Sequence, residues 1–166
     1  MFHKMVDLTE PICRLIDSSL ADILTFDTSG IELYVTENNP KTLNSLIKRL
    51  KAYYKDNPGV DPYRMAYGLM PSQAASCPDA KQLYINGHFC YADKFAILTN
   101  GLGIIRHITF LDDDFKKAHP EMPVEKKSDS PDEDKSIGDS SALQPVLTDY
   151  FTLHPHFSPD TFLGDS

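Results

Sequence analysis

Two aspartates follow short apolar runs with the composition of strands. Asp27 comes directly after residues 23–26 (ILTF), and Asp165 comes after residues 161–164 (TFLG). A strand–helix–strand crossover makes two strands parallel, so that their C-terminal ends lie at one edge of a sheet. Carboxylates that converge there are suited to Mg²⁺, which prefers oxygen ligands and supports phosphoryl transfer. Aspartate is also a common turn residue, so these positions predict either a metal site or two turns.

A second candidate site is a basic segment that contains no acidic residue. Its members are Lys41, Lys48, Arg49, Lys51 and Lys55. Apolar residues recur at helical spacing between them, and Asn39-Pro40 and Asn57-Pro58-Gly59 flank the segment as helix stops. The pattern predicts an amphipathic helix with a basic outer face, which either contacts phosphates or is an ordinary solvated face.

Elements on the N-terminal side of the basic segment must position Asp27. Residues 6–20 predict a helix, with Pro11 in its first turn and four apolar residues facing inward. These inward residues are Ile12, Leu15, Ile16 and Leu20. Residues 23–26 predict a buried strand that ends at Asp27, and Gly30 predicts a bend before a second alternating run. Residues 56–82 contain four prolines and predict irregular structure.

The C-terminal half predicts a hairpin, an acidic loop, a helix and a strand. Residues 87–110 alternate around the turn Asn100-Gly101-Leu102-Gly103, and both faces are apolar, which favours the interior of a covered sheet. Residues 112–139 hold ten acids and predict a long solvated loop. A helix capped by Asp139 or Ser140 follows, with Pro145 predicting a kink or a later start. Residues 161–163 predict the last strand.

Composition and charge exclude several classes of protein. The chain has 166 residues, 24 of them acidic and 16 basic, for a net charge of −8. It has no apolar run long enough for a membrane span, and three scattered cysteines predict neither a disulfide framework nor a zinc site. These features favour a cytoplasmic location. The acidity argues against simple electrostatic binding of nucleic acid, but residues 1–111 contain eleven acidic and eleven basic residues, so the excess lies beyond them.

Four blocks occur in order along the chain and carry a resemblance to a known family. They are FDTSGIELYVTENNPK, then YINGHFCYADKFAILTNGLGIIRHITFLDDDFKKAHPE, then SDSPDEDKSIGDSSALQPVLTDYF, and finally TFLGDS. From about Leu20 to Ser166 the chain resembles the catalytic domain of bacterial insertion-sequence transposases of the Asp-Asp-Glu (DDE) class. These enzymes cut DNA at transposon ends and join the 3′ ends to a target, using two Mg²⁺ or Mn²⁺ ions.

The resemblance implies a mixed α/β fold with an RNase H-like core. The expected portion is β-β-β-α-β, with a helical or irregular insert over residues 36–82 and the acidic loop over 112–139. Residues 1–20 would form a separate N-terminal helical segment, and residues 21–166 a partial catalytic domain that is truncated before the final strand and helices.

The resemblance also implies site residues and partners. Asp27 and Asp165 match the first two catalytic, metal-binding acids. Lys94 in Y-A-D-K matches a hairpin position where a DNA-backbone contact and a structural role are equally open. The partners would be transposon-end and target DNA, with a homodimer or larger assembly of the intact enzyme acting at the nucleoid.

The third catalytic acid of the family, a Glu on a later helix, has no counterpart in residues 1–166. This departure favours a fragment of a transposase. It leaves open a non-catalytic remnant or DNA-binding accessory protein, and a nuclease or resolvase of the same fold.

Overall fold

The computed structural model describes residues 1–55, 59–71, 73–85, 88–122 and 137–164. Within these residues the protein is mixed α/β, with six strands in one sheet. The strands are β1 (Ile23–Glu32), β2 (Gln73–Ala74), β3 (Cys77–Ile85), β4 (His88–Asn100), β5 (Ile105–Phe110) and β6 (Thr161–Gly164). The helices are α1 (Phe2–Ile16), α2 (Ser18–Ala21), α3 (Pro40–Tyr53), α4 (Pro62–Leu69), α5 (Asp113–Ala118) and α6 (Asp139–Leu153), and a 3-10 turn covers Thr36–Asn38.

The sheet has the order β2-β3-β4-β1-β6, and β5 also pairs with β4. β4 is antiparallel to both β3 and β5. β1 and β6 are parallel, as expected for strands joined through the helix α6 that precedes β6. The sheet is therefore mixed, which confirms the coarse fold class that the sequence predicts.

The described residues divide into two compact units. The first contains residues 1–29, 94–122 and 137–164. Its core joins alternate residues of β1 and β4 to the inner face of α6. The members are Leu24, Phe26, Ala96, Leu98, Leu111, Phe115, Met122, Ile137, Ala142, Val146, Tyr150 and Phe157. This core fixes the strand that carries Asp27.

The second unit lies within residues 30–93 and has a smaller core around Ala74, Ala80 and Tyr91. Asn38 stabilises it by binding both backbone groups of Tyr91. The Asn38 amide nitrogen donates to the carbonyls of Leu33 and Tyr91 at 2.7 Å each, and its oxygen accepts from the Tyr91 N–H at 2.7 Å. The Tyr91 hydroxyl donates to the Pro71 carbonyl. Asn38 therefore links the segment after β1 to β4.

The predicted hairpin of β4 and β5 is confirmed. The prediction that both of its faces are buried is not. The turn at Asn100 is closed by the Asn100 carboxamide, which accepts from Leu102 and Ile104, and Gly103 takes a positive φ of 77° that favours glycine. Ala96 and Leu98 are buried, whereas Ile108 and Phe110 are 39% and 47% exposed. Within the described residues, this face of β5 is therefore only partly covered.

The first strand does not end at Asp27, contrary to the sequence prediction. β1 continues to Glu32, and Leu33 still donates its N–H to Tyr91 at 3.0 Å. Gly30 makes no break in the strand. A Cβ at Gly30 would lie 2.2 Å from the Cδ1 atom of Ile85, so the glycine leaves room for that side chain. Gly30 is therefore small because Ile85 packs closely against it. A glycine in a strand pattern is compatible with either close packing or a bend, so the sequence alone does not distinguish them.

The N-terminal helix was predicted with the wrong face inward. Ile12, Leu15, Ile16 and Leu20 are 56%, 87%, 66% and 36% exposed, while Val6 and Cys13 are buried. α1 also begins at Phe2, so that Pro11 lies inside the helix instead of in its first turn. The helix has apolar residues on more than one side, and tertiary contacts select the side that is buried.

Residues 56–82 are more regular than predicted. Pro62 begins α4, where its missing N–H costs nothing, and the Asp61 side chain accepts from the Tyr63 N–H at 2.9 Å. Pro78 lies in β3. Residues 56–58 and 72 lie outside the described residues.

The acidic segment begins with a helix. The Asp112 carboxylate accepts from the Phe115 N–H at 2.9 Å and caps α5, whose Phe115 enters the core. Residues 123–136, half of the predicted loop of residues 112–139, lie outside the described residues. Farther on, α6 starts at Asp139 and contains a buried Pro145, so the helix does not start after the proline, which was one of the two predicted outcomes.

Candidate functional site

Asp27 lies in the middle of β1 with its side chain exposed. Leu24 and Phe26 point into the core, so the alternation of a strand turns Asp27 toward the opposite face. One carboxylate oxygen accepts from the Thr28 N–H at 2.8 Å. Asp27 is therefore a surface carboxylate on a strand that the core holds rigidly.

The pairing of β1 with β6 bears on the second predicted acid. The register matches Ile23 with Thr161 and ends with Phe26 opposite Gly164. Asp27 and Asp165 are the next residues in the sequence after this last matched pair. Asp165 itself lies outside the described residues. Within those residues, no three His, Cys, Asp or Glu side chains are arranged to hold a metal ion.

The basic segment forms the predicted amphipathic helix. α3 spans Pro40–Tyr53, its first turn is capped by the Asn39 side chain, and Ile47 is buried. The basic residues of the helix and of its C-terminal flank are all exposed; they are Lys41, Lys48, Arg49, Lys51 and Lys55. Lys55 lies beyond the last helical residue. The face is therefore accessible to an anionic partner.

Lys51 differs from the other basic residues because it binds within the protein. Its ammonium group lies 2.8 Å from the Tyr63 hydroxyl and 4.5 Å from the centroid of the same ring. This contact joins α3 to α4. Lys51 therefore has a structural partner, and the exposed charge of the face rests mainly on the other four residues.

Lys94 has a structural role as well. Its ammonium group donates to the Ile137 carbonyl at 2.7 Å and lies 2.5 Å from a carboxylate oxygen of Asp139. The Lys94 side chain is only 17% exposed. Since Asp139 is the first residue of α6, this contact ties β4 to the start of that helix. Of the two roles that the sequence left open, the geometry favours the structural one.

The structure also brings together a buried polar cluster that the sequence did not indicate. His3 of α1 contacts His107 of β5 and His154 after α6, with ring centroids 5.7 and 5.6 Å apart. Nδ1 of His154 lies 2.6 Å from the Asp7 carboxylate. The ring nitrogens of His107 and Nε2 of His154 are buried without a hydrogen-bond partner. The sequence gives no signal because these residues are far apart in the chain.

Burial shifts the pKa of two side chains here, those of His107 and the neighbouring Tyr150. It lowers the pKa of His107 to about 4, with further lowering from His3 and His154 and an opposing effect from Asp149. Burial raises the pKa of the Tyr150 hydroxyl to about 12, and the nearby Arg106 opposes that rise. At neutral pH His107 is therefore uncharged.

Arg106 lies beside the histidines with its side chain 2% exposed. Its guanidinium pairs with Glu10 at 2.5 Å and donates to the Val6 carbonyl at 3.1 Å. Glu10 also binds Arg14 at 2.8 Å. A buried charge without a partner is strongly unfavourable, so this pairing explains why α1 docks through the side that carries Val6 and Glu10.

An open cavity adjoins this cluster and is lined by charged and aromatic side chains, among them Asp7, Glu10, Arg14, Arg106 and His154. The charges in its wall largely pair with one another, as Arg106 does with Glu10 and His154 with Asp7. The cavity therefore presents no strong excess of either sign to a ligand.

Comparison with known proteins found no matching family model, no matching curated protein and no matching solved structure. No helix in the described part of the chain is both long enough and apolar enough to cross a membrane.

Proposed function

We propose that this chain is part of a DNA transposase of the Asp-Asp-Glu class, acting in the cytoplasm on the DNA of the nucleoid. One observation carries the proposal: the parallel pairing of β1 with β6, which ends at Phe26 and Gly164 directly before Asp27 and Asp165. The order β5-β4-β1-β6 supports it further, since an RNase H-like core places its first and fourth strands side by side.

The residues have the chemistry that such a site requires. Asp27 offers an exposed carboxylate on a rigid strand, and hard divalent ions such as Mg²⁺ or Mn²⁺ prefer oxygen ligands. Two bound ions would activate the water that attacks a phosphodiester and stabilise the leaving oxygen. A third carboxylate, implied by the resemblance, is not among residues 1–166. The proposal therefore concerns metal and DNA binding by this chain, with strand transfer belonging to the intact enzyme.

Metal binding tests the proposal directly. We expect Mn²⁺ to bind the wild-type chain in a calorimetric or electron paramagnetic resonance titration, and Asp27→Asn and Asp165→Asn each to weaken binding at least about tenfold, because each removes one charged ligand. Asp79→Asn is the control, since Asp79 is an exposed acid on β3. If all three variants bind Mn²⁺ as the wild type does, the two aspartates are not a metal site.

A second candidate function is a DNA-binding accessory protein without catalysis. The exposed basic face of α3 favours it, because this face does not depend on any carboxylate site. The two functions differ in their dependence on metal. The accessory protein would bind DNA through α3 with Asp27 replaced, whereas the transposase requires both features.

The salt dependence of duplex binding measures the role of α3. We expect Lys41→Gln, Lys48→Gln and Lys55→Gln combined to reduce the slope of log K against log salt by about 2–3, since each phosphate contact contributes about 0.9. The control is Lys116→Gln with Lys117→Gln, which removes two lysines that pair with Asp113 and Asp114. Equal slopes for the wild type and the α3 variant, measured by fluorescence anisotropy, would show an ordinary solvated face.

A further inference from the structure

The outward side of α1 is an apolar surface without a partner in the described structure. Its members, here named the α1 apolar face, are Met5 (57% exposed), Leu8 (74%), Ile12 (56%), Leu15 (87%) and Ile16 (66%). Single exposed apolar side chains are common, but a contiguous apolar stripe on one helix marks an interaction surface. Three of these residues, Ile12, Leu15 and Ile16, are ones that the sequence predicted to be buried.

The other side of α1 is held firmly in the first unit. Val6 and Cys13 are buried, and Glu10 binds the buried guanidinium of Arg106 at 2.5 Å. Turning the helix to bury the α1 apolar face would expose Val6 and remove the partner of Arg106. The face is therefore presented outward by a fixed helix.

The spacing of the α1 apolar face indicates which partner fits. Met5, Leu8, Ile12 and Leu15 are separated by three, four and three residues, as are the core positions of a two-stranded coiled coil. A second copy of α1 in antiparallel orientation, related by a two-fold axis near Glu10, would place Met5 against Leu15 and Leu8 against Ile12. The same four residues would then be used by both copies, as a two-fold interface requires.

The helix dipoles and the buried area agree with a second copy as the occupant. The antiparallel pairing opposes the two helix dipoles favourably. Each apolar side chain would bury roughly 100 Å². Five per copy give about 1,000 Å² in total, which is at the lower limit of specific interfaces. The pairing is therefore expected to be weak.

We infer that the α1 apolar face is a homodimer interface in which two copies of α1 pack antiparallel. The dimer holds the first units of two chains together independently of DNA or metal. Interfaces of this small area are typical of weak or transient complexes, so we expect a dissociation constant in the micromolar range. Neither Asp27 nor the basic face of α3 takes part in it.

Sedimentation equilibrium over about 1–200 µM tests this interface. The wild-type chain, of 18.7 kDa, is expected to shift toward twice that mass with concentration. Leu8→Glu with Ile12→Glu is expected to raise the dissociation constant at least about thirty-fold. The matched control is Tyr34→Glu with Tyr53→Glu, two side chains that are 108% and 81% exposed outside α1. Circular dichroism verifies that both variants are folded.

Cysteine cross-linking tests the orientation. A mixture of Met5→Cys chains and Leu15→Cys chains is expected to form a mixed disulfide dimer, while each variant alone does not. Parallel helices would instead cross-link Met5→Cys chains to one another, and that result would overturn the antiparallel arrangement. A wild-type chain that stays monomeric at 200 µM, or a dimer that survives Leu8→Glu with Ile12→Glu, would overturn the interface itself.

Discussion

At the scale of single residues, the ring of His107 is the clearest pH-sensitive group. It is 4% exposed and contacts His3, and its pKa is lowered to about 4 from an ordinary value of 6.5. Between pH 6.5 and about 4, His107 therefore binds a proton in the unfolded chain but stays neutral in the folded chain. The stability contributed by neutral His107 is complete above pH 6.5 and is lost as the pH falls toward 4.

We expect His107→Gln to remove this pH dependence. Between pH 6.5 and 4.5 the free energy of unfolding of the wild type should fall by about 2–3 kcal/mol more than that of the variant, at about 1.4 kcal/mol per pH unit. Urea unfolding followed by circular dichroism measures the difference. His156→Gln is the control, because His156 is exposed. Parallel curves for the wild type and His107→Gln would mean that His107 titrates normally.

At the scale of elements, Asn38 connects the segment after β1 to β4 through three hydrogen bonds with Leu33 and Tyr91. Asn38→Ala removes all three and takes this partner from the Tyr91 N–H, while the Tyr91 carbonyl still accepts from the Leu33 N–H. We expect the free energy of unfolding to fall by about 2–4 kcal/mol, given about 1 kcal/mol for each bond and an added cost for unpaired buried groups.

Asn44→Ala is the matched control for this substitution, since Asn44 is an exposed residue on α3. Hydrogen exchange at the Tyr91 amide reports the local effect and denaturant unfolding the global one. If Asn38→Ala and Asn44→Ala unfold alike, the link between the two segments contributes little to stability.

The elements that the sequence predicted well have a single consistent period. α3 follows a helical repeat between two stop signals, and β4 and β5 alternate around a turn with glycine at the required position. α4 and β3 were missed because prolines were interpreted as breakers, although Pro62 occupies the first turn of a helix. Periodicity and turn residues therefore predicted an element correctly where they were compatible with only one type of secondary structure.

The orientation of α1 could not be predicted in the same way. Val6 and Cys13 lie on one side of the helix and Leu8 and Ile12 on another, so periodicity alone allows either side to be buried. The choice depends on the pairing of Glu10 with Arg106, which is 96 residues away in the chain. The buried histidine cluster escaped prediction for the same reason.

At the scale of the whole molecule, the metal site formed by Asp27 and Asp165 at one end of the paired strands remains a prediction. The sequence predicted that the first strand ends at Asp27 and lies parallel to the last strand, and the pairing of β1 with β6 agrees with the second part. It did not predict that β1 continues beyond Asp27, because that extension depends on contacts with β4. The proposed metal site thus depends on the register, and the proposed DNA surface on α3 alone.

The pairing of β1 with β6 also has a consequence for how the chain is made. Ile23 pairs with Thr161, and the two are separated by more than a hundred residues. At ribosomal rates of about 5–20 residues per second, roughly 7–28 seconds pass between the synthesis of β1 and that of β6. During synthesis one edge of β1 is open to strands of other nascent chains. Slow, non-local closure of the sheet is therefore the step at which we expect chaperones to matter most for this protein.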